Sequence, residues 1–203
     1  MLEILEAVHP RLSSAMAKAS LTVITGPMFS NKSGELIRLA TVHRIAGRKV
    51  GLFKHSLDDR YEGLEHISTH GGQSAEAEPV GSSATIGLVA SSYEVVAVDE
   101  AQFFDDGLAE VCARLVEDGL IVIVAGLDRN FKGEPFGPMA ELMALADDVM
   151  KLRAVCMKCR SLEGSMTQRL IDGRPASRTS PVILIGAAEA YEARCRNCHE
   201  LPD

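Results

Sequence analysis

The sequence predicts an α/β fold: a mostly parallel sheet covered by helices on both faces, followed by a small cysteine-bearing β domain. Three observations predict it. Apolar, β-branched runs alternate with stretches of helical spacing from Leu21 to Ala154, as in a sheet built from strand–helix units. The first unit carries Gly26-Pro-Met-Phe-Ser-Asn-Lys-Ser33 between its strand and its helix. The alternation stops at Cys156, after which two CxxC pairs bracket short β-like runs.

The elements follow in order. Residues 1–20 carry no motif and read as an extension, either a short helix broken at Pro10 or a loose terminus. Leu21–Thr25 alternates and is β-branched, so it reads as a buried strand. Leu36, Leu39, Ala40, Val42 and Ile45 fall at helical spacing. Val50–Phe53 is a second strand running into the polar segment Lys54–Tyr61. Residues 62–82, rich in Gly, Ser, Glu and His, read as a long loop, and Ala84–Ser91 as a short helix. Glu94–Val98 is an apolar strand ending at Asp99-Glu100, and Leu108–Glu117 is an amphipathic helix. Leu120–Ala125 is the most hydrophobic strand and belongs at the sheet centre. Met139–Ala146 reads as a helix and Val149–Ala154 as a strand. Met166–Ile171 and Pro181–Ile185 are β-like runs separated by a polar Gly/Pro/Ser/Arg segment. The division expected is an extension (1–20), a nucleotide-binding domain (21–154) and a metal-binding domain (155–203).

Composition narrows the function classes. A chain of 203 residues that is 46% apolar suffices for one domain with a small appendage. The net charge of −7 argues against a nucleic-acid footprint. No apolar run approaches the roughly 20 residues that span a bilayer. The N-terminal stretch lacks a basic n-region, so the cytoplasm is expected, with no membrane partner. The five cysteines should then be reduced, and read as metal ligands or core.

Five constellations carry chemistry. Gly26–Ser33 fits G-x-x-x-x-G-K-[ST] except that Asn31 stands at the second glycine. Backbone N–H groups of Gly26, Pro27's successors Met28, Phe29 and Ser30, and Asn31 would wrap the phosphates of ATP. Lys32 would reach the β- and γ-phosphates, and the Ser33 hydroxyl would bind Mg²⁺ at a helix N-terminus. Asp99, ending a buried strand, is the usual partner of such a loop on the Mg²⁺ shell. Glu100 is either a second carboxylate acting as general base or a surface glutamate; spacing leaves both open. Cys156-x-x-Cys159 and Cys195-x-x-Cys198, separated by 35 residues (160–194), supply four thiolates suited to a tetrahedral structural Zn²⁺. Cys112, inside a helix, reads as core. Asp58-Asp-Arg60-Tyr61 follows the second strand, where ligands collect in doubly wound sheets. Finally, Gly126–Pro138 and the adjacent Phe103-Phe104 concentrate aromatic side chains in a chain that is only 4% aromatic, as a nucleobase pocket would.

Taken together these segments resemble the thymidine kinases of bacteria and animal cytosol. The matching residues are Gly26–Ser33, Asp58–Tyr61, Asp99-Glu-Ala-Gln-Phe-Phe104, Leu127–Pro138, Cys156–Cys159, Thr167–Ile171 and Ile185–Cys198, in the family's order. The resemblance implies a RecA-like P-loop core with a zinc-binding lasso domain, and ATP-dependent phosphorylation of the thymidine 5′-hydroxyl. It implies Glu100 as general base, Arg60 stabilising the transferring phosphoryl group, and Asp58 near the metal's waters. Met28, Phe103, Leu127, Phe131, Phe136 and Tyr191 would line the thymine pocket. A lasso from about Glu163 to Ile185 would close over the nucleoside, with backbone at Val182, Leu184 and Gly186 binding the base. A homotetramer and feedback inhibition by thymidine triphosphate are implied by resemblance alone. The departure is Asn31: a position with φ > 0 tolerates Asn best among non-glycine residues, but its side chain stands to weaken ATP binding or turnover. The alternative reading is therefore a nucleotide-binding homologue with reduced or lost kinase activity.

Overall fold

A computed structural model describes residues 18–56, 66–68, 74–183 and 189–203. Its elements run β1 (Ser20–Thr25), α1 (Lys32–Ile45), β2 (Val50–His55), β3 (His66–Ser68), β4 (Ser74–Glu76), β5 (Glu78–Val80) and α2 (Ser83–Val89). They continue with β6 (Val95–Asp99), α3 (Leu108–Glu117), β7 (Ile121–Gly126), α4 (Met139–Leu145), β8 (Asp148–Lys151), β9 (Met166–Ile171), β10 (Arg174–Pro175) and β11 (Glu189–Arg194). Single 3₁₀ turns follow α2 and β6.

Six strands form the main sheet in the order β5-β2-β6-β7-β1-β8, and every pairing is parallel. Parallel strands buried on both faces need apolar side chains at successive positions. β6 and β7 comply, with no residue left outside the core. Their alternate residues feed two cores. Val96, Val98, Val122 and Val124 pack with α2, α3 and α4; Val95, Ala97, Ile121 and Ile123 pack with α1. In register, Thr25 lies beside Gly126, Val98 beside Val124, and Lys54 beside Asp99. The C-terminal ends of β1, β7, β6 and β2 thus share one edge, which is where an open parallel sheet binds its ligand. β10, β9 and β11 form a separate antiparallel sheet, and β3 pairs with β4.

Several boundaries differ from expectation. Residues 62–82 were expected as a loop, but β3, β4 and β5 fall there; β5 adds itself to the sheet edge beside β2. β8 ends at Lys151, before Ala154, because Ala154 exchanges backbone hydrogen bonds with Gly164 and leaves the parallel sheet. Pro181–Ile183 forms no strand: Pro181 brings no N–H, and the Pro181 and Val182 carbonyls accept from Arg169 instead of a ladder. The second long strand of this sheet is β11, further along. On α1, Val42 (49% exposed) and Ile45 (82%) face outward, while Gly34, Leu36, Ile37 and Ala40 are buried. Among the described residues, no helix is long and apolar enough to cross a membrane.

Candidate functional site

The loop from Gly26 to Asn31 joins β1 to α1. Gly26 has φ 146°, and a Cβ there would lie 2.5 Å from the Leu152 carbonyl oxygen, so glycine is required. Phe29 and Asn31 also take positive φ, 65° and 62°. The left-handed conformation at Asn31 explains how asparagine substitutes for glycine without breaking the loop. Ser30 Oγ and Lys32 Nζ each donate to the Pro27 carbonyl at 2.8 Å, which draws the loop into a closed ring. The Met28 N–H donates to Thr167 Oγ1 at 3.0 Å and ties the ring to β9.

Asp99 ends β6 and is buried (4% exposed). Burial pushes its carboxyl up, to about 7, with the neighbouring Glu100 charge adding to the rise. The Ser33 hydroxyl, the Glu100 N–H and Lys32 oppose that rise. Ser33 and Asp99 therefore meet across the gap between α1 and β6. Both offer oxygen donors, the ligand type Mg²⁺ takes, so the pair could hold such an ion.

Glu100 leaves β6 with φ 52° and ψ 39°. That left-handed step starts the following 3₁₀ turn, and the Glu100 carboxylate remains close enough to act on Asp99. Gln102 (2% exposed) then holds it: Gln102 Nε2 donates to Glu100 Oε2, while Gln102 Oε1 accepts the Leu127 N–H at 2.9 Å. One side-chain amide thereby connects the Glu100 carboxylate to the loop after β7. The sequence quotes Gln102 inside the Asp99–Phe104 run, but nothing in its spacing reveals this bridge.

The loop after β7 is shaped by its own side chains. Asn130 Oδ1 accepts the N–H groups of Lys132 and Glu134, at 2.9 and 3.2 Å. Buried Asp128 pairs with Arg129 (3.1 Å) and Lys151 (2.9 Å), linking the loop to β8. Phe103 and Phe136 meet edge to face, ring centres 5.7 Å apart. Phe131 is buried against a different group, Arg169, whose guanidinium stacks 4.3 Å from the Phe131 ring centre and 5.5 Å from that of Tyr191. Arg169 Nε donates to Tyr191 Oη at 3.0 Å, and its two terminal nitrogens donate to the Pro181 and Val182 carbonyls at 2.5 Å. Arg169 is itself 2% exposed. It gathers Phe131, Tyr191 and Val182, three of the expected pocket residues, around one buried cation. Met28 joins them through Thr167, two residues earlier on β9. Sequence reasoning gave Arg169 and Thr167 no role; the only signal was a charged residue inside an otherwise strand-like run. Asp58, Arg60, Leu184 and Gly186 lie outside the described residues.

Cys156, Cys159, Cys195 and Cys198 bring their sulfurs within 4.8 Å of one another. A tetrahedral site with Zn–S bonds of about 2.3 Å has sulfurs about 3.8 Å apart. The Cys159–Cys195 separation is 3.8 Å, so the cluster can hold one zinc ion. Burial pushes the Cys156 thiol up, yet backbone N–H groups of Cys159, Cys195 and Lys158 outweigh it and bring it down to about 6. His199 does not complete the cluster: its Nε2 meets the Phe131 carbonyl at 2.9 Å and anchors the knuckle to the aromatic loop. Cys112 is buried in α3, as expected of core.

Loop, carboxylate strand and parallel sheet define a P-loop nucleotide-binding protein of the kind with one strand, β7, between the loop strand and the carboxylate strand. The sequence profile of the family "TK: Thymidine kinase" matches residues 19–199. The chain belongs to the thymidine kinase family, a family of kinases, and the match covers both the P-loop core and the cysteine cluster. Among solved structures it is similar to the replication initiator DnaA bound to AMPPCP and single-stranded DNA, at 11% identity and a TM-score of 0.40. That match covers 68% of this chain and 41% of that one, so the chain spans less than half the length of that structure.

Proposed function

We propose that this protein transfers the γ-phosphoryl group of ATP to the 5′-hydroxyl of thymidine, giving thymidine monophosphate. The observation that carries the reading is the geometry around β6: Asp99 meets Ser33 of the phosphate loop, while Glu100 is held by Gln102. Two adjacent carboxylates are thus given two different tasks.

Lys32 and the backbone N–H groups of Gly26, Phe29, Ser30 and Asn31 hold the triphosphate. Ser33 and Asp99 would hold the Mg²⁺ that accompanies it, which would supply charge neutralisation on the phosphates. Glu100 accepts the proton of the 5′-hydroxyl, a role that requires only reach and orientation. Phosphoryl transfer depends on positioning and charge neutralisation more than on covalent chemistry, and Arg60 and Asp58 would serve the transferring group. Met28, Phe103, Leu127, Phe131, Phe136 and Tyr191 line the thymine site. Arg169 holds the backbone at Pro181 and Val182, and backbone at Val182, Leu184 and Gly186 would bind the base edge. Cys156, Cys159, Cys195 and Cys198 would hold zinc, which would tie the two CxxC pairs together and reduce the entropy lost on ordering the chain between them. The protein works in the cytoplasm as a homotetramer restrained by thymidine triphosphate.

The direct test is incubation with ATP, Mg²⁺ and labelled thymidine, with product identified by chromatography. Labelled monophosphate is expected. No product across nucleotide donors and metal concentrations overturns the proposal.

A further inference from the structure

The Asn31 side chain occupies the space that a side chain at residue 34 would fill. A Cβ built on Gly34 would lie 2.3 Å from Asn31 Oδ1, 2.7 Å from its Cγ and 2.8 Å from its Nδ2. No real Cβ tolerates contacts that short. Gly34 is the third residue of α1 and is buried. Its backbone does not call for glycine: it sits inside a helix, where glycine is a poor choice on propensity alone. The demand comes from its neighbour.

The direction of that space matters. A helical Cα–Cβ bond points outward from the axis and leans toward the N-terminus. The Asn31 carboxamide therefore lies on the outer flank of the first turn. An anion at a helix N-terminus binds over the axis, where the first N–H groups converge. Asn31 caps none of those N–H groups, so no capping bond draws its side chain toward the anion position. Its backbone carbonyl still accepts the Glu35 N–H at 3.1 Å, so the helix starts normally.

We infer that Gly34 is a positioning residue for the phosphate loop: its missing Cβ leaves a notch that holds the Asn31 carboxamide clear of the triphosphate. Asn31 and Gly34 then form one unit that retains the loop's function without glycine at position 31. A Cβ at residue 34 expels the carboxamide from the flank and sends it over the phosphate cradle. The inference rests on the reading of residues 26–33 as the ATP site.

The test is a double-mutant cycle on the full chain: native, Gly34→Ala, Asn31→Gly, and both together. Affinity for MgATP is read by calorimetric titration and thermal stability is read without nucleotide. Gly34→Ala alone is expected to weaken MgATP binding at least tenfold without lowering the melting temperature. In the Asn31→Gly background the same change should alter binding less than twofold. An equal loss in both backgrounds, or no loss in either, overturns the inference. Asn31→Gln supplies a second arm that keeps Gly34: its longer carboxamide overshoots the notch, and unchanged binding by that variant also overturns the inference. A native chain that binds no MgATP instead removes the reading of the site.

Discussion

Replacing Gln102 by leucine tests the bridge between Glu100 and the loop after β7. Leucine has nearly the same volume and a strong helical and core preference, but it can neither donate to Glu100 nor accept from Leu127. Two effects follow with separate magnitudes. The Leu127 N–H, buried with its residue, loses its acceptor. An orphaned buried donor costs about 1–3 kcal/mol, which in a chain of this size lowers the melting temperature by roughly 2–4 °C per kcal/mol. Glu100 loses the donor that fixes its carboxylate. A catalytic group misplaced by about 1 Å loses on the order of 100-fold in rate. Steady-state kinetics should therefore show kcat falling roughly 10- to 100-fold while the KM for ATP is unchanged. A Gln102→Leu variant that loses stability but keeps native kcat refutes the assignment, since the bridge would then serve packing alone.

Arg169→Leu removes a buried cation that donates to Pro181, Val182 and Tyr191. Hydrogen bonds to charged groups contribute about 1.5–3 kcal/mol each, so the KM for thymidine should rise at least about tenfold while the KM for ATP stays within about twofold; equal rises in both would contradict a role specific to the nucleoside side. Arg169→Lys should not restore the lost affinity, because an ammonium cannot reproduce the planar fork that reaches two carbonyls. Purified protein should carry one zinc per chain by elemental analysis. Chelation, or Cys195→Ser, should raise the thymidine KM before MgATP binding weakens; a metal-free protein with native kinetics would refute the zinc assignment. Deoxyuridine should be a poorer but real substrate. A lost methyl contact in an apolar pocket is worth about 1–3 kcal/mol, so kcat/KM should fall roughly 10- to 200-fold, and complete rejection would argue for a polar rather than apolar methyl site.

The parts of the molecule that were legible in the sequence are those whose physics is local. β1, α1, β6 and β7 announce themselves by runs and spacing, and Gly26–Ser33 reads as a phosphate loop because strand, loop and helix are contiguous. The left-handed conformation at Asn31 was also readable, because the motif's glycine marks where φ must be positive. Residues that act across the fold were not legible. Gln102 is ordinary until β7 brings Leu127 to it, and Arg169 is one charge in a strand until Phe131 and Tyr191 close on either side. Pro181–Val182 looked like a strand from its apolar character, but its carbonyls are claimed by Arg169. The outward faces of Val42 and Ile45 were misread for a related reason: helical spacing defines a stripe, and only packing decides which side of it is covered. Gly34 gave no sign of its importance, since its role is the space it leaves to another residue.

The central claim is that Glu100, and not Asp99, accepts the proton of the thymidine hydroxyl. Single-turnover measurement of labelled thymidine phosphorylation by native protein and by Glu100→Gln tests it most directly, with both substrates saturating. Glutamine keeps the shape and can still bond to Gln102, so binding of ATP and thymidine should persist. The rate of monophosphate formation should fall by about 10²–10⁴, the range a positioned general base contributes. A Glu100→Gln protein that makes thymidine monophosphate at the native rate would contradict the account.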